Sequence, residues 1–488
     1  MKIDSVSSMI QSNMTDLEKV VALVGSENAY YGNLNKPIAA PELPLGIAKD
    51  TATAAIRSLF FAWGLDRQNY GKKQWNPLGI FIHPGDKVVM KPNWVSDVNK
   101  SGSGIECLVT HGSIIKAVLE YVAIARPGQV IIGDAPLQSC NFEQLMDLSG
   151  ISSILSDFQA RKVDVAIADF RRTIMQTHVT GIRRLNDQSD MSNFVLFDLK
   201  EHSLLEELNA DSEKFRVTMY DPEQLKKTHR PGRHQYLIAR EVVDADVVIN
   251  LPKLKTHKKA CITGALKNLV GINGHKEYLP HHRKGGDLTG GDCYPGGSKL
   301  KLYAEQILDL ANKTDGVTQK ILFHLQCLLI RCAKLLGDSI EIEGSWHGND
   351  TVWRTVLDLQ RILRYGKVDG TLADEPQRIV VSITDAIIGG EGEGPLSPHP
   401  VPSGFVTGAV NPAAAEWVNA RLMGFDPQRI PVTREAFADF PYPLVSFSSA
   451  SVRVHHAQDT IGASEVFPLE NRSFRPSKGW HGHCELDL

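Results

Sequence analysis

The chain lacks most of the features that assign a protein to a class at sight. No run of about 18 apolar residues occurs, so no membrane-spanning helix is expected. Cysteine is sparse: seven residues, at 107, 140, 261, 293, 327, 332 and 484, never form a CxxC pair. A zinc ribbon and a ferredoxin-type cluster motif are thereby excluded, and the odd count fits reduced thiols in a cytoplasmic protein. An excess of one charge is missing too, since Lys+Arg 53 against Asp+Glu 56 leaves −3. Sequence-independent nucleic-acid binding needs a dominant basic surface, so none is expected. Met1 to Ser12 hold one lysine and no apolar core, unlike a secretory signal. There is no GxxxxGK[ST] phosphate loop, no dinucleotide fingerprint, no internal repeat and no low-complexity segment.

What is present is an ordinary globular composition. The 488 residues are 42% hydrophobic and 22% charged, enough for two or three domains or one large elaborated one. Strand and helix signals alternate. The apolar run Val20 to Val24 reads as a buried strand, and Thr51 to Leu65 as a helix. Lys87 to Met90 is a strand after a Pro84-Gly85-Asp86 turn; Ser113 to Ala125 is a helix; Val130 to Ile132 is the next strand. Further strands follow at Val247 to Ile249 and Arg378 to Ile383, and an Ala-rich helix at Asn411 to Met423. This alternation predicts an α/β fold with a mostly parallel or mixed sheet flanked by helices.

Two stretches break the pattern. Residues 163–240 carry short strands between charged loops, such as Phe194 to Phe197 and Phe215 to Met219, and read as a β-rich insertion. Residues 299–366 read as a helical insertion, with helices at about 299–336 and 351–365. Asn349 or Asp350 is expected to cap the second. The organisation expected is thus an N-terminal strand and helix region (1–85), a main α/β domain (86–430) with those insertions, and a C-terminal extension (431–488). Within Ile321 to Ile330 the helix is apolar but too short to span a bilayer, and His324 and Gln326 interrupt it. Helix 301–336 is expected to pack on its own domain or to make a homo-oligomer or peripheral contact, with membrane docking the lesser expectation.

Four strands end in polar groups, at the position where open α/β sheets bind ligands. They break into Lys91-Pro92-Asn93, Gly133-Asp134, Asn250-Leu251-Pro252-Lys253 and Thr384-Asp385. The third runs on through Lys255, His257, Lys258 and Lys259 to Thr263-Gly264, and then to a short helix carrying Lys267 and Asn268. Each feature alone is an ordinary loop start or helix cap. Together they predict a site for a small anion, phosphate- or carboxylate-bearing. Lys91, Asn93, Asn250, Lys253, Lys255, Thr263, Gly264, Lys267 and Asn268 are its candidate binding residues. The Thr263-Gly264 turn is expected to offer helix N–H groups to the anion.

Asp385 leads into Gly389-Gly390-Glu391-Gly392-Glu393-Gly394-Pro395. Asp134, Asp385, Glu391 and Glu393 are candidate ligands for a divalent metal such as Mg²⁺. Asp134, His257 and Asp385 are candidate catalytic groups. A mobile loop with solvated glutamates is the competing reading. His275, His281 and His282 have no recognised metal spacing and are expected at a site rim or on the surface.

The ordered motifs Val88 to Val95, Ile132 to Pro136, Val248 to His257, Thr263 to Gly271, Asp385 to Pro395 and Gly404 to Met423 resemble those of domain-of-unknown-function family 362. The resemblance covers about residues 85 to 430. It implies an α/β domain and carries over no catalytic residue. Some members have ferredoxin-like cysteine motifs, which implies redox work for them. This chain has none, so an iron–sulfur cluster is not expected on it. Longer members resemble proteins associated with bacterial surface-polysaccharide functions. The leading expectation is a cytoplasmic enzyme acting on a small anionic substrate. The alternatives are a redox protein served by an external electron carrier and a non-catalytic binding or scaffold protein.

Overall fold

A computed structural model describes residues 14–25, 31, 52–177, 183–457, 459–468 and 472–487. Its centre is a 12-stranded mixed sheet. The strands are β1 (Val20–Gly25), β2 (Lys87–Pro92), β3 (Gln129–Asp134), β4 (Val165–Asp169), β5 (Val247–Leu251), β6 (Lys253–His257), β7 (Cys261–Thr263), β8 (Ile379–Glu393), β9 (Ser397–Val401), β10 (Phe405–Ala409), β11 (Arg453–His456) and β12 (Asp459–Gly462). The spatial order is β12-β11-β1-β10-β8-β5-β2-β3-β4, with β6 and β9 also paired to β8, and β7 to β6. Neighbours from β8 through β5, β2 and β3 to β4 are parallel. The strand β10 runs antiparallel between β8 and β1.

Both faces of this sheet are covered, which is why its strands are apolar on both sides. Val88, Met90, Val247 and Ile249 enter one core with helices α1 (Ala52–Trp63) and α2 (Gly112–Ile124). Val89 and Val248 point the other way. There they meet the short helix α3 (Ala265–Asn268), α6 (Val352–Tyr365) and α7 (Pro412–Leu422). The period of two along each strand therefore sorts residues between the two cores.

The expected insertions are smaller than the sequence suggested. Strand β4 belongs to the main sheet, so the β-rich insertion starts after it. It contains the hairpin of Thr173–Thr177 with Arg183–Asp187, and a three-stranded sheet led by Arg233–Ala239. The strand expected over 215–219 shrinks to Phe215–Arg216, paired with His282–Arg283. Helix α6 is not inserted: almost all its residues are buried against the core. Its N-cap position is Thr351 rather than the expected Asn349 or Asp350, but Asn349 Oδ1, two residues earlier, accepts the Thr351 and Val352 N–H groups at 3.1 and 2.9 Å. The helical insertion is the hairpin of α4 (Lys299–Asn312) and α5 (Gly316–Leu335). Within α5 the sole fully buried residue is Ala333; one side of the helix packs on α4, with Leu322, Leu329 and Ile330 half-buried, and the other side stays exposed.

The C-terminal extension closes the sheet. Strand β11 lies parallel to β1, and β12 follows as the edge. Removing residues 453–488 strips both strands from β1 and leaves it unpaired on that side. The truncated chain is expected to melt about 5 °C or more below the full chain, the shift of roughly 5 kcal/mol in a protein this large. An unchanged melting temperature by circular dichroism would contradict this placement.

Candidate functional site

The parallel strands β8, β5, β2 and β3 lie side by side, so their carboxyl ends share one edge of the sheet. Asn250 sits opposite Lys91 on one side and Ser382 on the other. Four apolar strands thus deliver polar side chains to a single row, inside the protein. Burial is what makes this row unusual: Lys91, Asn250, Lys253, Lys255 and Asp385 are each 0% exposed.

Lys91 is answered by Asp134. Its Nζ lies 2.7 Å from Asp134 Oδ1 and also donates to Asn268 Oδ1 at 3.0 Å and Pro92 O at 2.9 Å. Asp134 accepts further bonds from the Trp94 N–H at 2.6 Å and the Ala135 N–H at 2.8 Å. Asn268 is the hub. Its Oδ1 takes Lys91 and Asn93 Nδ2 (2.9 Å); its Nδ2 gives to Lys91 O (3.1 Å) and Asn250 Oδ1 (2.8 Å). Burial lowers the Lys91 pKa, and Asp134 opposes that shift. Gly271 presses on this pair so closely that a Cβ there would lie 1.9 Å from Asp134 Oδ1 and 2.6 Å from Lys91 Nζ.

Lys253 is answered by Asp385. The pair is 2.6 Å apart and fully buried. Tyr31 OH accepts from Lys253 Nζ at 2.6 Å and donates to Asp385 Oδ1 at 2.9 Å. The other carboxylate oxygen accepts the His111 N–H at 2.9 Å, at the start of α2, where the helix dipole favours a negative charge. The His111 ring stacks on Tyr31 at 3.8 Å.

The remaining cations have no such partner. Among the described residues, no carboxylate lies within ion-pair distance of Lys255, Lys259, Lys267 or Lys276. Lys255 donates to the Leu108 carbonyl, and Lys276 to Ala135 O at 2.9 Å. Burial depresses all four lysines, and mutual repulsion adds to it for Lys255, Lys267 and Lys276. Lys267 falls to about 7 through burial and then the nearby Lys276, Lys259 and Lys91. Lys276 falls to about 8. His257 and His281 are held well below the usual imidazole range by burial and by these lysines. Their tautomers differ. His257 Nδ1 accepts the Lys259 and Ala260 N–H groups at 3.0 and 3.2 Å, so its neutral ring carries the proton on Nε2. His281 Nδ1 faces Leu279 O at 2.6 Å, so its proton sits there and Nε2 is the basic nitrogen.

Several expected roles change. The structure does not bring the four carboxylates together. Glu391 accepts the Arg475 N–H at 2.8 Å and pairs with the Arg475 guanidinium at 3.1 Å. Glu393 accepts the Lys478 N–H at 2.9 Å and pairs with Lys258 at 3.1 Å. Both therefore anchor the C-terminal segment. Asp134 and Asp385 each hold a lysine ammonium in the place a metal ion would need, so the expected Mg²⁺ donor set does not fit a metal. The Thr263-Gly264 turn is also taken. Helix α3 is four residues long, and the buried Glu416 carboxyl lies against its start. A Cβ on Gly264 would lie 2.1 Å from Glu416 Oε2, and burial pushes Glu416 up to about 8. An anion does not reach that helix end. Thr263 Oγ1 and Asn93 Oδ1 are buried without a hydrogen-bond partner.

Other groups escaped the sequence reading. Tyr31, His111 and Glu416 come from distant segments, and no local pattern marks them. Lys276 and His281 follow the basic run closely, but their half-buried place beside it is a tertiary property. His282, expected at a rim, is buried; its ring, Cys293 and Glu305 place one ligand atom each within 4.8 Å of the others.

The fold and the buried row define an α/β protein with a polar network at the carboxyl edge of its sheet. The chain belongs to the family described as Domain of unknown function (DUF362), whose model matches residues 88–206 and 189–421. A thylakoid-associated protein of Synechocystis sp. is 27% identical over 213 residues. That match covers 43% of this chain and 47% of the relative, so the chain spans about half the relative's length. A crystal structure of a Thermotoga maritima protein aligns over 65% of this chain and 50% of its own, at 11% identity and a TM-score of 0.28. No helix among the described residues is long and apolar enough to cross a membrane.

The close approach of Gly271 gives a direct check on the Lys91–Asp134 pair. Gly271→Ala forces the two apart, and breaking a buried pair costs roughly 3–5 kcal/mol. A large loss of stability in chemical denaturation is expected. A variant as stable as the wild type would show that the pair does not hold this region.

Proposed function

We propose that the chain is a cytoplasmic enzyme that takes a small anionic substrate, phosphate- or carboxylate-bearing, against Lys255, Lys259, Lys267 and Lys276. One observation carries the reading: Lys255, fully buried, and Lys259, Lys267 and Lys276, partly buried, crowd the strand-end region with no carboxylate in ion-pair reach among the described residues. An uncompensated buried ammonium is costly, and a bound anion removes that cost. His257 supports the same direction, because its Nε2–H is oriented as a donor by two backbone N–H groups on Nδ1. Convergence of Lys91, Asn93, Asp134, Asn250 and Asn268 supports a built site over a scaffold.

The lysines suit proton transfer as well as binding. Lys267, at about 7, is divided between ammonium and amine near neutral pH, which is where a general acid or base works best. His281 offers a basic Nε2 in the same cluster. Asp134 and Asp385 act in this reading by keeping Lys91 and Lys253 charged and in place. The reaction is therefore acid–base chemistry on the held anion, with the lysines as the exchanging groups.

The test uses inorganic pyrophosphate and citrate as probes, in calorimetric titration and thermal shift. Wild-type protein is expected to bind at least one of them. Lys267→Met and Lys255→Met are each expected to weaken binding by roughly tenfold or more, the scale of one lost charge-assisted bond. Affinity is expected to fall as pH rises through about 7 to 8, because Lys267 and then Lys276 lose their protons. Affinity unchanged by pH and by both substitutions would refute the reading.

The ligand-free protein gives a second check. The folded Lys267 pKa lies below that of the unfolded chain, so between about 7 and 10.5 the unfolded state binds more protons. Stability from this group therefore rises with pH over that window and is flat below it. Lys267→Met removes the penalty, and the variant is expected to melt roughly 1–2 °C above wild type without ligand. A lower melting temperature would mean that Lys267 is already compensated.

A further inference from the structure

Helix α5 is the part of the fold that water should not tolerate. It is a 20-residue helix with one buried residue, Ala333. Val317, Ile321, Leu325, Leu328 and Leu335 are 74, 61, 41, 54 and 86% exposed. Their spacing of four, four, three and seven residues sets them along one side of the helix. Half of the exposed large apolar side chains among the described residues lie between Tyr303 and Ile340. Exposed apolar surface of this extent marks a contact with something else.

Charge on the same helix selects the contact. Gly316–Leu335 contains no acidic residue. His324, Arg331 and Lys334 run along the helix beside the apolar row, and all three are exposed. A second copy using this face would bring two identical patches together, each carrying His324, Arg331 and Lys334 and no acid of its own helix. Like charge on both patches opposes such pairing. An acidic peptide would answer the cations and leave most of a helix about 30 Å long uncovered. An anionic bilayer surface answers both rows at once. Apolar side chains sink into the headgroup–acyl boundary while Arg331 and Lys334 stay level with the phosphates. The helix cannot span the bilayer, because His324, Gln326 and Arg331 interrupt its apolar sequence.

We propose that α5 docks the protein in the plane of an anionic lipid surface, with Val317, Ile321, Leu325, Leu328 and Leu335 inserted and Arg331 and Lys334 against the headgroups. The hairpin with α4 carries this face, and nothing in it belongs to the buried lysine site. The two readings therefore stand or fall separately.

The full chain is mixed with vesicles of phosphatidylglycerol and phosphatidylcholine, or of phosphatidylcholine alone, and bound protein is measured by flotation. Two variants are compared, Ile321→Glu with Leu328→Glu, and Arg331→Glu with Lys334→Glu. All four positions are exposed, so both variants are expected to fold, and circular dichroism confirms that they do. Wild type is expected to bind the anionic vesicles roughly tenfold or more better than the neutral ones, and less at high salt. The first variant is expected to lose binding to both, and the second to lose the preference for anionic lipid. Wild type that binds neither vesicle would overturn the proposal. So would binding that both variants retain. A concentration-dependent dimer in light scattering that Ile321→Glu with Leu328→Glu abolishes would overturn it too, by showing a second copy on this face.

Discussion

An ammonium group taken out of water costs several kcal/mol unless a carboxylate, or dipoles in good geometry, replaces its hydration. This constraint organises the centre of the molecule. Lys91 and Lys253 are each answered by one aspartate and by further hydrogen-bonding partners. Lys255 shares the same interior, and Lys259, Lys267 and Lys276 lie half-buried beside it, all without a carboxylate in ion-pair reach among the described residues. The first two pairs are structure. The other four lysines are unanswered charge, and the proposed anion would relieve it; that is the reason to look for function there.

The rest of the fold serves that arrangement. Parallel strands place Lys91, Asp134, Asn250 and Ser382 at one edge because their apolar parts must be covered on both faces. Asn268 then ties three of the loops by using both its donor and its acceptor atoms. Gly271 lets the following turn lie against the Lys91–Asp134 pair, where a methyl group would not fit. Glu391 and Glu393 fasten the C-terminal segment over the far end of β8. If the proposed anion binds here, binding energy and folding energy are drawn from one region, as in a site that is strained without its ligand.

Much of this was legible in the sequence, and the rest was not for physical reasons. The alternation of apolar strand and periodic helix predicted the α/β class, and Lys87 to Met90, Val130 to Ile132 and Val247 to Ile249 lie in strands as read. Polar residues at the strand ends pointed to one row, and Lys91, Asn93, Asp134, Asn250 and Asn268 do meet there. What the sequence could not tell was how charges pair. Asp134 and Asp385 looked available to a metal until Lys91 and Lys253 were seen to occupy them. Glu391 and Glu393 looked like ligands because glycines flanked them, yet their partners Arg475 and Lys478 lie more than 80 residues away. The Thr263-Gly264 turn looked open because Glu416 is 152 residues further along. Helix α5 is a helix as its apolar period suggests; one side packs on α4, but how much of the other side stays exposed is a tertiary property that composition does not give.

The central claim is that the unpaired lysines form an anion site, and an anomalous scatterer tests it most directly. Crystals soaked in tungstate, a heavy analogue of phosphate, would be examined at the tungsten edge. The account predicts an anomalous peak among Lys255, Lys259, Lys267 and His257, lost in crystals of Lys267→Met. A peak confined to surface lysines, or no peak in the interior of well-diffracting wild-type crystals, would contradict it.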